Sequence, residues 1–214
     1  MANINADEIR KIKETTLIEI YKSTGRRFVP AAVSGRHVHL CRADIDALFG
    51  VGYELHPLKP LSQPGQYAAS ETISLVGPKG RIDKIRVLGP ARKDTQLELS
   101  VTDTFKVGVK PVVRMSGEVA GSPGAFLEAD GKRVELKAGI MVSARHIHIS
   151  AEQARAMDLS DGQVVSLKTG GGRSIIMENV VVRSGDGHDL EVHIDTDEAN
   201  AALVKNGDIM EILL

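Results

Sequence analysis

The chain has 214 residues, enough for one large domain or two small ones, and its 27 basic and 28 acidic residues nearly cancel. This balance gives no bulk electrostatic reason to expect nucleic acid or an anionic membrane surface as a partner. Aromatic residues make up only 3% of the chain, which argues against stacking platforms for single-stranded nucleic acid. The single cysteine, Cys41, excludes an intrachain disulfide and suits a reducing compartment.

No apolar run approaches the ~18 residues that a membrane helix needs, and the charged N-terminus lacks the apolar centre of a signal peptide. The sequence therefore predicts a soluble, cytoplasmic protein without a membrane partner. Short bursts of Val, Ile and Thr, separated by many of the 21 glycines, predict a mainly β fold with short capping helices.

Residues 5–23 are predicted to form an amphipathic helix, with Asn5 or Asp7 as its N-cap. The apolar stripe of this helix either packs on the protein's own β-structure or docks on a partner or shell. Residues 1–28 are accordingly assigned to a helix and a linker. The stripe consists of Ile9, Ile12, Thr16, Leu17 and Ile20.

One motif occurs twice, as SGRHVHL over 34–40 and as SARHIHI over 143–149, and it contains four of the seven histidines. In a strand, residues i and i+2 project to the same face, about 6–7 Å apart at the backbone, so each pair of imidazoles can converge on one ion. The duplication predicts two related halves, 29–114 and 139–214, joined by a crossover segment, 115–138.

A second, weaker repeat aligns residues 97–103 with residues 190–196. The first of these segments overlaps a strand that is predicted over 95–101. This alignment matches Ser100 with His193 and leaves Glu98 two places before the histidine position. Each half then has a His-x-His strand and a later strand that offers a third ligand, a pattern typical of catalytic zinc. The alternative is that each histidine pair is only a hydrogen-bonded strand face. The two sets would be His37, His39 and Glu98, and His146, His148 and His193, and the two ions could lie near each other across a pseudo-two-fold interface.

Three arginines accompany these strands. Arg36 and Arg145 precede the histidines and face the opposite way on a regular strand, which favours structural pairing. Arg92, in a loop before the Glu98 strand, is placed to clamp an oxyanion or phosphate, although a surface role is the alternative. Histidines 56 and 188 lie in turns and are predicted to be ordinary surface residues.

Together with these motifs, several further segments resemble the phosphate propanoyltransferase family, the phosphotransacylases of bacterial microcompartments. The resemblance covers nearly all of the chain from about residue 30 onward. The matching segments are SGRHVHL (34–40), QPGQYAA (63–69), LVGPKG (75–80), LGP (88–90), RMSG (114–117), RHIH (145–148) and HIDTDEANAA (193–202).

The resemblance implies two β-barrel domains related by internal duplication, a dinuclear zinc site, and exchange of acyl-CoA plus phosphate for acyl phosphate plus coenzyme A. It also implies that the two ligand sets above hold the zinc ions and that Arg92 holds phosphate. The family's N-terminal extension often serves as an encapsulation peptide, so a microcompartment shell or cargo protein becomes a candidate partner of residues 5–23. Coenzyme A is expected along Ser34, Lys59, Arg86, Leu88 and Asn200.

Two other functions fit the same residues. One is a zinc hydrolase of thioesters or phosphoesters, in which metal-bound water replaces phosphate as the nucleophile. The other is a non-catalytic, metal-braced shell-docking module. The sequence leaves the acyl chain, the native metal and the oligomeric state open, and a homo-oligomer is compatible with it.

Overall fold

The structure, a computed structural model, describes residues 5–214. In this range the chain is mainly β, as expected, with five helices and fifteen strands. None of these helices combines the length and apolarity needed to cross a membrane. The helices are α1 (Ala6–Thr24), α2 (Arg42–Phe49), α3 (Val101–Val107), α4 (Ala151–Ala156) and α5 (Thr196–Ala202). The strands are β1 (Arg27–Ser34), β2 (His37–Cys41), β3 (Pro57–Pro60), β4 (Tyr67–Val76), β5 (Arg81–Arg92), β6 (Gln96–Glu98), β7 (Val113–Arg114), β8 (Ala125–Ala129), β9 (Lys132–Leu136), β10 (Ile140–Ser143), β11 (His146–Ile149), β12 (Val164–Lys168), β13 (Ile176–Ser184), β14 (Glu191–Asp195) and β15 (Ile209–Leu213).

The chain packs into two compact units, each with its own apolar core and one of the two His-x-His strands. The sheet unit contains Ser34–Ala144 and Asp195–Asp197. The barrel unit contains the described residues up to Val33 together with Arg145–Ile194 and Glu198–Leu214.

In the sheet unit, nine strands form a curled half-barrel in the order β7-β10-β6-β2-β5-β4-β8-β9, with β3 paired to β4. Strand β2 lies inside this sheet, parallel to β5 and antiparallel to β6. Val38 and Leu40 of β2 are fully buried, as are Ile45 and Leu48 of α2. Burial of each such side chain contributes about 1.5–3 kcal/mol, so this packing fixes the position of β2.

In the barrel unit, six strands close in the order β1-β14-β11-β13-β12-β15. Strand β11 has the same kinds of neighbours as β2, being parallel to β13 and antiparallel to β14. Its Ile147 and Ile149 are fully buried. The two His-x-His strands therefore occupy equivalent positions in their units.

The duplicated strands do not follow the sequence halves. Strand β1 precedes the first motif but pairs in the barrel unit, whereas β10 precedes the second motif but pairs in the sheet unit with β6 and β7. The segment 115–138 also adds the hairpin β8–β9 to the sheet unit, where β8 pairs with β4. The predicted halves 29–114 and 139–214 describe the repeat in the sequence, whereas the two compact units describe which strands pack together.

Helix α1 has a capping box, in which Asn5 accepts the Glu8 N–H and Glu8 accepts the Asn5 N–H. Its second half packs on the barrel core through the buried Leu17. Its first half leaves Ile9 and Ile12 exposed, at 45% and 57% of their surface. The second half of the helix therefore packs on the protein's own β-structure, and the first half remains available for docking on a partner.

The prediction of a strand over 95–101 is wrong at its C-terminal end. Strand β6 ends at Glu98, and α3 begins at Val101 after the N-cap Ser100, whose hydroxyl accepts the Asp103 N–H. The alternation of Leu97 and Leu99 resembles a longer strand, but the capping residue ends it.

Candidate metal centres

The first centre is built on β2, where His37 and His39 project to one face because they are two residues apart. Both are buried, and their ring centroids lie 5.1 Å apart. Glu98 joins them because it lies directly across from His37 in the antiparallel β2–β6 pair. A nitrogen of each histidine and a carboxylate oxygen of Glu98 all lie within 4.8 Å of one another.

Backbone carbonyls orient both rings of the first centre. His37 Nδ1 lies 2.9 Å from the Gly35 carbonyl, which requires an N–H at Nδ1 and turns Nε2 towards Glu98 Oε1, 3.6 Å away. His39 hydrogen-bonds to the backbone of Leu88, its neighbour on β5. Metal-binding histidines are held by the same kind of second hydrogen bond.

The charges around the first centre shift the pKa values of the two histidines in opposite directions. Burial opposes protonation of His37, but the adjacent Glu98 carboxylate outweighs it and raises the pKa of His37 above its ordinary value. Burial, followed by the charges of His37 and Arg92, lowers the pKa of His39 to about 2. His39 is therefore a neutral imidazole, the form that ligates metal ions.

The second centre repeats this geometry on β11 and β14. His146 and His148 share a face of β11, and His193 lies directly across from His146. The His193 ring centroid lies 5.0 Å from that of His146 and 4.8 Å from that of His148. One ring nitrogen from each of the three lies within 4.8 Å of the others.

The second centre suits a cation better than it suits hydrogen bonding among its own rings. His146 Nε2 and His148 Nε2 face each other at 3.1 Å, and the buried His148 Nδ1 has no hydrogen-bond partner. Burial, followed by the charges of His146 and His193, lowers the pKa of His148 to about 2. Three convergent imidazoles form a typical set of zinc ligands.

The strand registers make Glu98 and His193 equivalent positions. Glu98 lies across from His37 in β2–β6, and His193 lies across from His146 in β11–β14. The sequence alignment that matched Ser100 with His193 is therefore wrong by two residues. A slip of two residues keeps every side chain on the same face of a strand, so alternation alone cannot detect it.

Arg92 joins the first centre through a polar network. Its Nη1 donates to Ser116 Oγ at 3.0 Å, and Gln96 Nε2 donates to the same hydroxyl at 2.9 Å. Gln96 Nε2 also donates to Glu98 Oε1 at 2.5 Å, and Gln96 Oε1 accepts the Gly117 N–H at 2.6 Å. Sequence reasoning missed Gln96 and Ser116, although Ser116 lies within the RMSG segment.

The arginine directly before each histidine pair forms an ion pair, as predicted. Arg36 Nε lies 3.2 Å from Asp103 of α3, and Arg145 Nε donates to Glu198 of α5 at 2.5 Å. With the corrected register the two acids are equivalent as well. Each pair connects the start of a His-x-His strand to a helix of the same unit.

Four of the five residues expected to contact coenzyme A lie in the sheet unit. Arg86 and Leu88 are on β5, directly across from the two histidines of β2, and Ser34 Oγ is 3.3 Å from Nδ1 of the first histidine. Lys59 lies on the exposed strand β3. Asn200 belongs to the barrel unit and is exposed on α5.

The two remaining histidines differ. The His56 side chain is 68% exposed, which confirms the surface prediction, and its Nδ1 lies 2.7 Å from Glu71. His188 is half-buried, and its ring centroid lies 4.5 Å from that of His148, so the surface prediction is wrong for this residue. Its Nδ1 bonds to the Arg183 carbonyl at 3.0 Å, a contact formed by a turn that the sequence pattern does not resolve.

Comparison with known proteins agrees with the motifs. The family model described as phosphate propanoyltransferase matches residues 30–205. The chain is 47% identical to the phosphate propanoyltransferase of Thermotoga maritima over 85% of this chain and 87% of the relative. It is 47% identical to that of Rhodobacter capsulatus over 88% of each chain, and 40% identical to that of Clostridioides difficile over 96% and 97%. The chain therefore belongs to the phosphate propanoyltransferase family.

Proposed function

We propose that this protein is a zinc-dependent phosphotransacylase that converts propanoyl-CoA and phosphate into propanoyl phosphate and coenzyme A, and the reverse. Family membership supports the transacylase activity. The observation that supports metal dependence is the pair of three-ligand clusters, one in each compact unit.

The residues present fit zinc. His37, His39 and Glu98 would hold one ion as two nitrogens and a carboxylate, and the second centre would hold another through three nitrogens. Bound zinc supplies charge neutralisation and Lewis-acid polarisation of an oxygen.

Arg92 is proposed to hold and aim phosphate. Its guanidinium matches the oxygens of phosphate bidentately, and the Ser116 hydroxyl fixes one edge of the fork. A phosphate oxygen attacks the thioester carbonyl, the new C–O bond forms, and the C–S bond breaks. The departing thiolate takes up a proton to give coenzyme A, and no covalent acyl-enzyme is required. Orientation and electrostatic stabilisation account for the rate.

Coenzyme A is proposed to bind along Ser34, Lys59, Arg86, Leu88 and Asn200. The location of Arg86 and Leu88 beside the first centre supports this path. Arg86 Nη1 donates to the backbone carbonyls of residues 69 and 70, which holds its side chain in one direction.

The exposed start of α1 is the proposed docking segment for a microcompartment partner. Ile9 and Ile12 would provide its apolar contact. Replacing both with serine should release the protein from microcompartments in cell fractionation, whereas Val51→Ser, at a residue that is 95% exposed, should not. Unchanged retention of the Ile9/Ile12 variant would contradict this role.

Release of the CoA thiol from propanoyl-CoA, with and without phosphate, tests the function. Phosphate-dependent release by the zinc-loaded protein is expected. Phosphate-independent release would indicate a thioester hydrolase, and no release despite bound zinc would indicate a structural metal module.

A further inference from the structure

In both centres, the residue two positions before the third ligand touches that ligand. Gln96 Nε2 donates to Glu98 Oε1 at 2.5 Å, and Glu191 Oε1 lies 2.8 Å from His193 Nε2. The registers explain why, because Gln96 lies across from the second histidine of β2 and Glu191 across from the second histidine of β11. Side chains two apart on a strand share a face.

The chemistry of each contact matches its ligand. A carboxylate ligand only accepts hydrogen bonds, and the residue beside it is an amide that donates. A neutral imidazole ligand carries one N–H, and the residue beside it is a carboxylate that accepts. Both partners are at least nine-tenths buried, with Gln96 1% and Glu191 9% exposed.

The direction of the Gln96 amide is fixed by its other contacts. The Gly117 N–H can only donate, so the amide oxygen faces Gly117 and the amide nitrogen faces Glu98. The second amide hydrogen goes to Ser116 Oγ, which also accepts from Arg92. The buried Gln96 side chain thus connects the proposed ligand Glu98 to Arg92 through the Ser116 hydroxyl.

We propose that Gln96 and Glu191 are the positioning residues of the two centres. Each orients the third ligand by a hydrogen bond in the direction which that ligand requires: Gln96 donates to Glu98, and Glu191 accepts from His193. This inference rests on the metal centres of the proposed function. Gln96 also links the first centre to Arg92, so it sets phosphate binding as well as metal binding. Glu191 Oε1 lies 2.8 Å from His193 Nε2 and would hold that ring in one orientation.

Isosteric substitutions separate hydrogen bonding from packing. Gln96→Glu keeps the shape and still accepts the Gly117 N–H, but it loses both donors and brings a second carboxylate to Glu98. Glu191→Gln keeps an oxygen that accepts from His193, whereas Glu191→Ala removes it. Loss of such an orienting partner typically lowers metal affinity by about 10–100-fold.

Zinc affinity is measured by competition with a chelating dye. His146→Ala isolates the first centre and His37→Ala isolates the second. Gln96→Glu in the first background and Glu191→Ala in the second should each weaken binding by about 10–100-fold, while Glu191→Gln should stay near the parent. Gln163→Glu is the charge control, because the Gln163 side chain accepts the Ser160 N–H and lies outside both ligand sets.

Ser116→Ala tests the link to Arg92 separately, since it leaves the Gln96–Glu98 contact in place. Phosphate affinity, measured by calorimetry on the zinc-loaded protein, should fall while zinc affinity is unchanged. Retention of the second ion by Gln96→Glu in the wild-type background shows that the variant has folded.

Unchanged zinc affinity in Gln96→Glu and Glu191→Ala would overturn the inference, as would equal effects of Glu191→Gln and Glu191→Ala. Unchanged phosphate affinity in Ser116→Ala would overturn the link to Arg92. Absence of zinc from the wild-type protein would instead contradict the proposed function.

Discussion

The two centres share a backbone and differ in one ligand. Each has two histidines on a strand between a parallel and an antiparallel neighbour, and in each the proposed third ligand lies directly across from the first histidine. That ligand is Glu98 in the sheet unit and His193 in the barrel unit. The two units thus share this geometry, and a single side chain would give the two proposed centres different charges.

The consequence is electrostatic. A divalent ion held by neutral imidazoles keeps its full charge for an anionic ligand, whereas Glu98 cancels one unit of it. Arg92 lies near the first centre, and its charge opposes protonation of both histidines, although Glu98 keeps the pKa of His37 raised and burial is the main cause of the lowered pKa of His39. In the proposed first centre, Arg92 would therefore restore the positive charge that the carboxylate removes.

The largest effect is expected at Arg92. Arg92→Ala should reduce phosphate-dependent turnover by about 10²–10³-fold, because it removes one preorganised electrostatic donor. Both metal ions should remain, since Arg92 is not a ligand. Steady-state kinetics and elemental analysis of the same preparation measure the two effects. Arg173→Ala, at an exposed turn of the barrel unit, is the matched control, and retained activity of Arg92→Ala would remove Arg92 from the mechanism.

A second difference between the units is the buried Glu71 on β4. The strand registers place Gln163, directly before β12, at the equivalent position of the barrel unit. Burial alone would raise the pKa of Glu71, but hydrogen bonds from His56 and Tyr53 lower it below its ordinary value of 4.5. Its stabilising contribution is therefore present above that value and is lost as the pH falls through the lowered pKa.

Glu71→Gln should lower the free energy of unfolding by about 1–3 kcal/mol near pH 6. Urea denaturation at several pH values should show the difference from wild type shrinking below pH 4.5, the ordinary pKa of this group. Gln163→Ala provides the comparison and should show no such pH dependence. A difference that grows on acidification would contradict the assigned sign.

The smallest effect concerns the helices that follow the two motifs. Ser150 caps α4 in a capping box with Gln153, whereas the equivalent Cys41 makes no capping hydrogen bond to α2. Ser150→Ala should cost about 0.5–2 kcal/mol, and Cys41→Ser should stabilise the protein by about 0.5–1 kcal/mol. Thermal unfolding measures both, and a destabilising Cys41→Ser would show that the thiol packs better than a hydroxyl caps.

The sequence could predict that the two histidines of each motif lie together, because their pattern is local. His37 and His39 are two residues apart, as are His146 and His148, and strand geometry alone makes each pair converge. It could not predict which strand residues lie across from them, because a two-residue slip preserves the faces. The correspondence of Glu98 and His193 therefore required the register.

Long-range pairing limited the fold prediction in the same way. Nothing in the sequence of β1 or β10 indicates that each pairs with strands of the unit opposite to that of the motif it precedes. The contact between Gln96 and Ser116 was missed for the same reason, since it joins residues 20 positions apart through a loop. Buried polar networks depend on such contacts rather than on periodicity.

Each unit is proposed to hold its own metal ion through its own three ligands. Elemental analysis of the wild-type protein and of the His37→Ala and His146→Ala variants tests it most directly. We expect two zinc ions per wild-type chain and the loss of one ion in each variant, with the other retained. Unchanged metal content in both variants would contradict the assignment of the two centres.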